Sequence, residues 1–267
     1  MKIGLMGFGR TGRSVARVLL ESKEVNLQWV MRRSSILQHR SVPEFLGVES
    51  DELGFIYRID EFTADELLTR HPVDFVIDFS SESGLDYYGE AAVKHGTGIV
   101  TAVSQYPPEQ IDALRALAAH IPVMHSPNIT VGINFLIVAA KILKRIAPYT
   151  DIEIIEEHFK LKQDVSGTAK LIANTLDLSN ESIKTIRAGG IIGVHEILFG
   201  FPFQTVRLRH ESISREAFGN GALFAAKNLV GKPAGLYRME DLLIPYFHLE
   251  ETGGRIDEVI TKLWRAR

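Results

Sequence analysis

The chain has 267 residues, 45% of them hydrophobic and 24% charged, with a formal net charge of −3 and no cysteine. That is ordinary for a globular chain of about two domains whose core needs no covalent staples. Without thiols there is no disulfide scaffold, thiolate metal centre or cysteine nucleophile, and the slight negative charge lacks the basic field of a nucleic-acid binder. Apolar runs such as Phe135–Ala140 fall well short of a membrane span, and Met1-Lys2-Ile3-Gly4 enters a strand without a leader's shape. A cytoplasmic protein with no membrane and no nucleic-acid partner is expected.

In chain order, Lys2–Met6 reads as an apolar strand, followed by Gly7-Phe8-Gly9-Arg10-Thr11-Gly12 and a helix over Ser14–Glu21. Val25–Met31 is a second strand. A helix over Asp60–Thr69, with Thr63 placed to cap it, leads to strand Val73–Asp78. Helix Tyr87–His95, ending at Gly96, precedes strand Ile99–Val103, helix Pro108–His120 and the short strand Pro122–His125. Strands alternating with helices of this length predict a Rossmann-like, doubly wound parallel sheet. After Pro127-Asn128 the pattern changes. A long apolar helix over Val131–Ile146 is followed by strand Asp151–Phe159, helix Thr168–Asn180 and strands Ile183–Ala188, Ile192–Leu198 and Thr205–His210. These predict an α+β unit with an open antiparallel or mixed sheet, and Ala217–Val230 is a small-residue helix suited to close packing. The boundary falls near Ser126: a dinucleotide-binding unit over 1–126, to which 240–267 return, and a substrate-binding and assembly unit over 127–239. Ile256, Val259, Ile260 and Leu263 have helical spacing for packing on the first unit.

Gly7, Gly9 and Gly12 stand directly after a strand and open a helix, the context in which this spacing lets backbone approach a pyrophosphate at a helix N-terminus. An acid ending the second strand would accept the ribose hydroxyls of NAD. Here that place holds Met31-Arg32-Arg33-Ser34-Ser35, whose guanidinium and hydroxyl donors suit a 2′-phosphate. NADPH is the preferred cofactor on this reading, with NADH possible; a solvated basic turn is the competing account.

The chemistry concentrates in Glu153–Ala169. His158 and Lys162 are donors four residues apart where a strand gives way to a loop, and Ser166-Gly167-Thr168 opens a helix whose N–H groups and hydroxyls suit a carboxylate. Together they describe a site for a small anionic substrate that needs a proton. From the residues alone a plainer account competes evenly, with Ser166 as a helix cap and His158 as a packed polar residue. Glu156 and Glu157 face opposite ways in a strand, so Glu153, Glu156 and Glu157 read as an ordinary polar strand face. His39, His71, His95 and His120 lack metal-ligand spacing and read as surface or capping residues; no metal is expected. His195 and His210 read as packed in the sheet, and Trp29 and Trp264 as core or interface.

The stretch Glu156-Glu157-His158-Phe159-x-x-Lys162-x-Asp164-Val165-Ser166-Gly167-Thr168-Ala169 resembles the dihydrodipicolinate reductase signature E-x-H-H-x-x-K-x-D-x-P-S-G-T-A. The resemblance extends through Gly7–Gly12, Asp78-Phe79-Ser80, Pro127–Gly132, Ile186–His195, His210, Ser214-Arg215, Phe218–Ala222 and Gly235–Met239. It implies a homotetrameric NADH- or NADPH-dependent reductase of a cyclic imine dicarboxylate in lysine and diaminopimelate biosynthesis. His158 matches the family's general acid and Lys162 its substrate-binding, proton-donating lysine. Ser166, Gly167 and Thr168 match the nest for a substrate carboxylate. Phe8, Arg10, Thr11, Phe79, Ser80, Thr101 and Asn128 join the glycines, Arg32, Arg33 and Ser34 in holding the nucleotide. Four departures stand out. Phe159 replaces the family's second histidine, Val165 stands where a proline is missing, Arg207 occupies a usually acidic strand position, and Thr101-Ala102-Val103-Ser104 replaces a Gly-Thr-Thr-Gly loop that touches nicotinamide and substrate. Phe159 and Val103 each exchange a polar contact for apolar surface. Two alternatives follow: a related reductase for a less charged imine, or a non-catalytic nucleotide-binding protein on the same scaffold.

Overall fold

The computed structural model describes residues 1–52 and 54–247. Among them no helix is long and apolar enough to cross a membrane.

The first sheet is built from β1 (Lys2–Met6), β2 (Asn26–Arg32), β3 (Phe55–Arg58), β4 (Phe75–Asp78), β5 (Gly98–Thr101) and β6 (Pro122–His125). Between them run α1 (Arg10–Glu21), α2 (Val42–Leu46), α3 (Ala64–Arg70), α4 (Gly84–His95) and α5 (Pro108–Ala118). Seven strands lie in the order β11-β6-β5-β4-β1-β2-β3, where β11 (Gly235–Tyr237) returns from late in the chain to pair with β6. All neighbours are parallel. Because successive strand residues point to opposite faces, the strands feed two cores. Ile3, Leu5, Val30, Ile77 and Val100 meet α1 on one side, while Met6, Trp29, Met31, Val76 and Ile99 meet α3, α4 and α5 on the other. Strand order reverses between β1 and β4, and the crevice beyond their carboxyl ends is where open α/β sheets bind ligands.

The second unit has α6 (Val131–Ile146), β7 (Asp151–His158), α7 (Gly167–Thr175), β8 (Ile183–Arg187), β9 (Val194–Gly200) and β10 (Thr205–Glu211). Its sheet, ordered β10-β9-β7-β8, is mixed: β7 pairs parallel with β8 and antiparallel with β9. Ile154, Ile197 and Phe199 bury against Ile133, Leu136 and Ile137 of α6 and Ala169, Ile172 and Ala173 of α7.

The expected alternation of strand and helix is present, with a parallel sheet and a separate mixed sheet. Thr63 caps α3 through a reciprocal capping box with Glu66, so that helix begins at Ala64 rather than Asp60. The helix expected to reach Asn180 stops at Thr175, where Asp177 takes a left-handed φ of 50°. Strands β3 and β11, only four and three residues long, are additions to the expected set, as are the five-residue helices α2 and α9 (Met239–Leu243). The return to the first sheet, expected from residue 240, begins earlier. In α8 (Glu216–Leu229), Ala222, Ala225, Ala226 and Leu229 already belong to the core beside α1. The helical spacing at 256–263 and Trp264 lie outside the described residues.

Candidate active site

The glycine-rich turn joins β1 to α1. Gly7 has φ +94°, and a Cβ there would sit 2.6 Å from the Phe79 carbonyl oxygen; one on Gly12 would sit 2.1 Å from the carbonyl oxygen of Gly7. Both positions therefore demand glycine, the first for its backbone and the second for helix-on-strand contact. Nothing lies within 4 Å of the corresponding point at Gly9, so the side toward the crevice stays open. Gly9 is the N-cap of α1, with no side-chain cap and no acid in the first turn, leaving its leading N–H groups for an anion.

Two cavities adjoin this turn. One of about 360 Å³ is lined by Gly7, Phe8, Gly9, Arg32, Arg33, Ser34 and Ile59. The other, of about 570 Å³, is lined by Thr11, Ala102, Val103, Ser104, Pro127 and Ile129. Arg33, Phe79, Ser80, Ser81 and Ser83 border both, so they form one elongated groove. The donor chemistry fits a dinucleotide: an uncapped helix end in the middle, paired arginines at one end and a mixed polar and apolar pocket at the other. Arg32 donates to the Ile36 carbonyl at 2.9 Å, and burial and the charge of Arg13 hold its guanidinium below the usual arginine range. Arg10 is exposed at the start of α1 and stands outside both linings.

A buried network shapes the groove floor. Asp78 is fully buried; its carboxyl accepts from the Ser80 N–H at 2.7 Å and from the Tyr88 hydroxyl at 2.8 Å, and burial holds it above the usual carboxylate range. Thr101 is also fully buried, with its hydroxyl 2.8 Å from that of Tyr106. The next loop residue of note, Val103, presents its carbonyl to His125 Nε2 at 3.1 Å. The altered loop is thus tied down from below by side chains. Tyr106 and His125 carry no motif spacing that would have singled them out, and Asp78 is marked only as part of the Asp78-Phe79-Ser80 resemblance.

The proton-donor candidates lie on the second sheet. Strand register places His158 opposite Arg187 of β8, and Glu156 opposite His195 of β9. Glu156 is 0% exposed, contrary to its expected place on a polar strand face, because alternation from buried Ile154 carries it inward beneath α7. Its carboxylate takes two bonds from Arg187, at 2.9 and 2.6 Å, one at 2.5 Å from His158 Nδ1, and one at 3.3 Å from the Ser166 N–H. Burial alone would raise this carboxyl, but Arg187, His158 and Ser166 together hold it below the usual range. Ser166 stands at the N-cap of α7 without capping it, since its hydroxyl lies 2.8 Å from His195 Nε2. The first N–H groups of that helix, beginning at Gly167 and Thr168, are left for another acceptor. His195 is pushed down to about 4, first by burial and then by the neighbouring His158 charge, with His210 and Lys162 adding to it. The neutral ring suits its packed position.

A bridge joins the two halves. Pro127 and Ile129 line the larger cavity, and Asn128 between them donates to the Thr168 hydroxyl at 3.0 Å. The N-terminus of α7 therefore starts at the rim of the groove. A third cavity, about 500 Å³, lies between the units and is lined by Ser14, Phe159, Ile191, Ile192, Ile213 and Arg215. Phe159 is 44% exposed at this cavity. Lys162 is half-buried, its carbonyl held by Arg187 Nε at 2.9 Å. His158 is buried, and glycine at 193 spares its Nε2, since a Cβ there would lie 3.2 Å away.

Comparison with known proteins follows the same lines. Residues 1–129 match the model for "Dihydrodipicolinate reductase, N-terminus", and 129–243 match "Dihydrodipicolinate reductase, C-terminus". A curated 4-hydroxy-tetrahydrodipicolinate reductase of Caldanaerobacter subterraneus is 34% identical over 228 residues, covering 74% of this chain and 91% of that protein. One from Methanoregula boonei is 31% identical over 255 residues, covering 88% and 94%. Among solved structures, dipicolinate-bound dihydrodipicolinate reductase from Paenisporosarcina sp. TG-14 superposes with a TM-score of 0.74 at 20% identity, covering 89% of this chain and 97% of that one. An amine dehydrogenase from Mycobacterium smegmatis gives 0.62 at 12% identity, covering 90% and 95%.

Proposed function

Since the chain belongs to the dihydrodipicolinate reductase family, we propose that it reduces 4-hydroxy-tetrahydrodipicolinate to tetrahydrodipicolinate, with NADPH as the preferred reductant. When bound, a dihydronicotinamide would supply hydride to the ring carbon from which the substrate's 4-hydroxyl departs as water, conjugated with the imine. One hydride and one proton enter, one water leaves and the product keeps its C=N bond. The uncapped start of α1 would hold the pyrophosphate, and Arg32, Arg33 and Ser34 the 2′-phosphate. Reduction leaves negative charge on nitrogen, and His158 Nε2 delivers the proton that neutralises it. Lys162 and the N–H groups of Gly167 and Thr168 offset the substrate carboxylates, with the Thr168 hydroxyl adding a donor. The observation that carries this reading is the Asn128–Thr168 bridge, which sets the start of α7 at the rim of the glycine-rich groove. His158→Asn should cut kcat at least about a hundredfold while NADPH affinity stays within about twofold. Equal losses in both would make His158 a structural residue.

A second reading rests on Phe159. It borders a cavity walled by Ile191, Ile192 and Ile213, a surface better matched to an apolar substituent than to a second carboxylate. Turnover of monocarboxylate imines above that of the dicarboxylate in a substrate panel would favour it. The same proposal includes a subunit contact across the face of the second sheet that no helix covers among the described residues, where Ile155, Ile186 and Leu198 accompany the Arg207–Glu196 pair. A homotetramer in sedimentation is expected, and monomer alone would refute it.

A further inference from the structure

The inner face of β7 carries a carboxylate that the reaction chemistry does not itself require. Glu156 has no exposure, yet its two oxygens collect four donors from three different elements: Arg187 of β8 twice, His158 of its own strand, and the backbone N–H of Ser166 ahead of α7. Arg187 has further commitments. Its Nε donates to the Lys162 carbonyl at 2.9 Å, and its second terminal nitrogen reaches the Asp164 carbonyl at 3.1 Å. A planar guanidinium can hold a bidentate carboxylate and two loop carbonyls at once, which an ammonium cannot. One ion pair therefore touches each part of the proton-donor half of the site: the His158 ring, the loop of Lys162, and the start of the Ser166–Thr168 nest.

We propose that Glu156 is the positioning residue for His158, with Arg187 as the anchor that registers Glu156 against the Lys162 loop. This rests on reading His158 as the proton donor. With Nδ1 committed to Glu156, the His158 ring keeps its proton there whenever it is neutral, and Nε2 is the atom that gives and regains the transferred proton. Held 2.5 Å from a carboxylate through Nδ1, the ring cannot turn to present the wrong nitrogen. Gly193 completes the arrangement, since a side chain there would crowd Nε2. The charge balance also explains why the pair sits where it does. A buried carboxylate holding only a histidine would lose its counter-charge each time His158 gave up its proton; the permanently charged Arg187 keeps Glu156 ionised through the cycle.

The test uses the whole protein labelled with 15N at histidine, Glu156→Gln, and NADPH oxidation with in situ substrate. In the unaltered protein the His158 ring should show a protonated, strongly hydrogen-bonded Nδ1 at low field. In Glu156→Gln it should divide between tautomers, kcat should fall at least about tenfold, and NADPH affinity should stay within about twofold. An unchanged tautomer with kcat within twofold would overturn the proposal and make the pair structural only. Glu156→Asp keeps the charge, so it should restore part of kcat and of the Nδ1 signal if Glu156→Gln folds poorly; no recovery in a folded Glu156→Asp protein also counts against positioning. An unaltered protein that oxidises no NADPH with imine would sink the reductase reading instead, and the tautomer measurement, which needs no turnover, would still decide whether Glu156 orients the ring.

Discussion

Acid should loosen this fold through His195. The ring packs between β7 and β10 with its Nε2 on Ser166, and burial, aided by the nearby His158 charge, pushes it down to about 4 from an ordinary 6.5. A histidine whose folded value lies below its unfolded value is held neutral by the fold, so protonation favours the unfolded chain. Its contribution is intact above pH 6.5 and is lost as the pH falls from there toward 4. Between pH 7 and pH 5 the loss from this one ring is about 2 kcal/mol, an order-of-magnitude figure for a group mostly removed from water. His195→Gln keeps a polar group within reach of the Ser166 hydroxyl and removes the titration. Urea unfolding followed by circular dichroism at pH 7 and pH 5 gives the comparison. The unaltered protein should lose about 2 kcal/mol more than the variant over that interval. Equal losses would refute the argument that the fold selects a neutral ring.

Other consequences are as direct. Gly12→Ala drives a Cβ into the Gly7 carbonyl and should weaken NADPH binding at least about tenfold in a fluorescence titration, with secondary structure preserved. Replacing Arg32 and Arg33 by serine should lower the ratio of NADPH to NADH affinity about ten- to a hundredfold, with NADH affinity little changed; a preference for NADH in the unaltered protein would contradict the assignment. Phe159→His adds a donor at the inter-unit cavity and should raise kcat/KM for the dicarboxylate imine about tenfold if the cavity receives that substrate.

Most of the scaffold is legible in the residues. The alternation of short apolar strands with helices located nearly every element of the first sheet, because buried parallel strands are continuous apolar runs bounded by glycine and polar turns. Phe55–Arg58 escaped because four residues after a polar loop carry too little periodicity, and Gly235–Tyr237 because its pairing with β6 is a property of the tertiary fold. The site was readable wherever the chain itself brings its parts close, as with His158, Lys162 and Ser166–Thr168. The polar strand face expected of Glu156 fails for a physical reason. Alternation correctly separates Glu156 from Glu157, but Ile154 and Ile155 are both apolar, so the local pattern does not say which face packs beneath α7, and the counter-charge that makes a buried Glu156 tolerable lies on another strand. That counter-charge is Arg187, distant in sequence and adjacent only through the parallel pairing of β7 with β8. The Asp78–Tyr88 contact and the Thr101–Tyr106 contact were hidden similarly, since neither spacing marks a motif.

The most direct test of the account is NADPH oxidation followed at its absorbance band, with 4-hydroxy-tetrahydrodipicolinate generated in situ by its synthase. Turnover with kcat/KM of about 10⁴ M⁻¹s⁻¹ or more is the predicted result. Absence of turnover while NADPH still binds would contradict it and place the chemistry of this groove with another imine or with none.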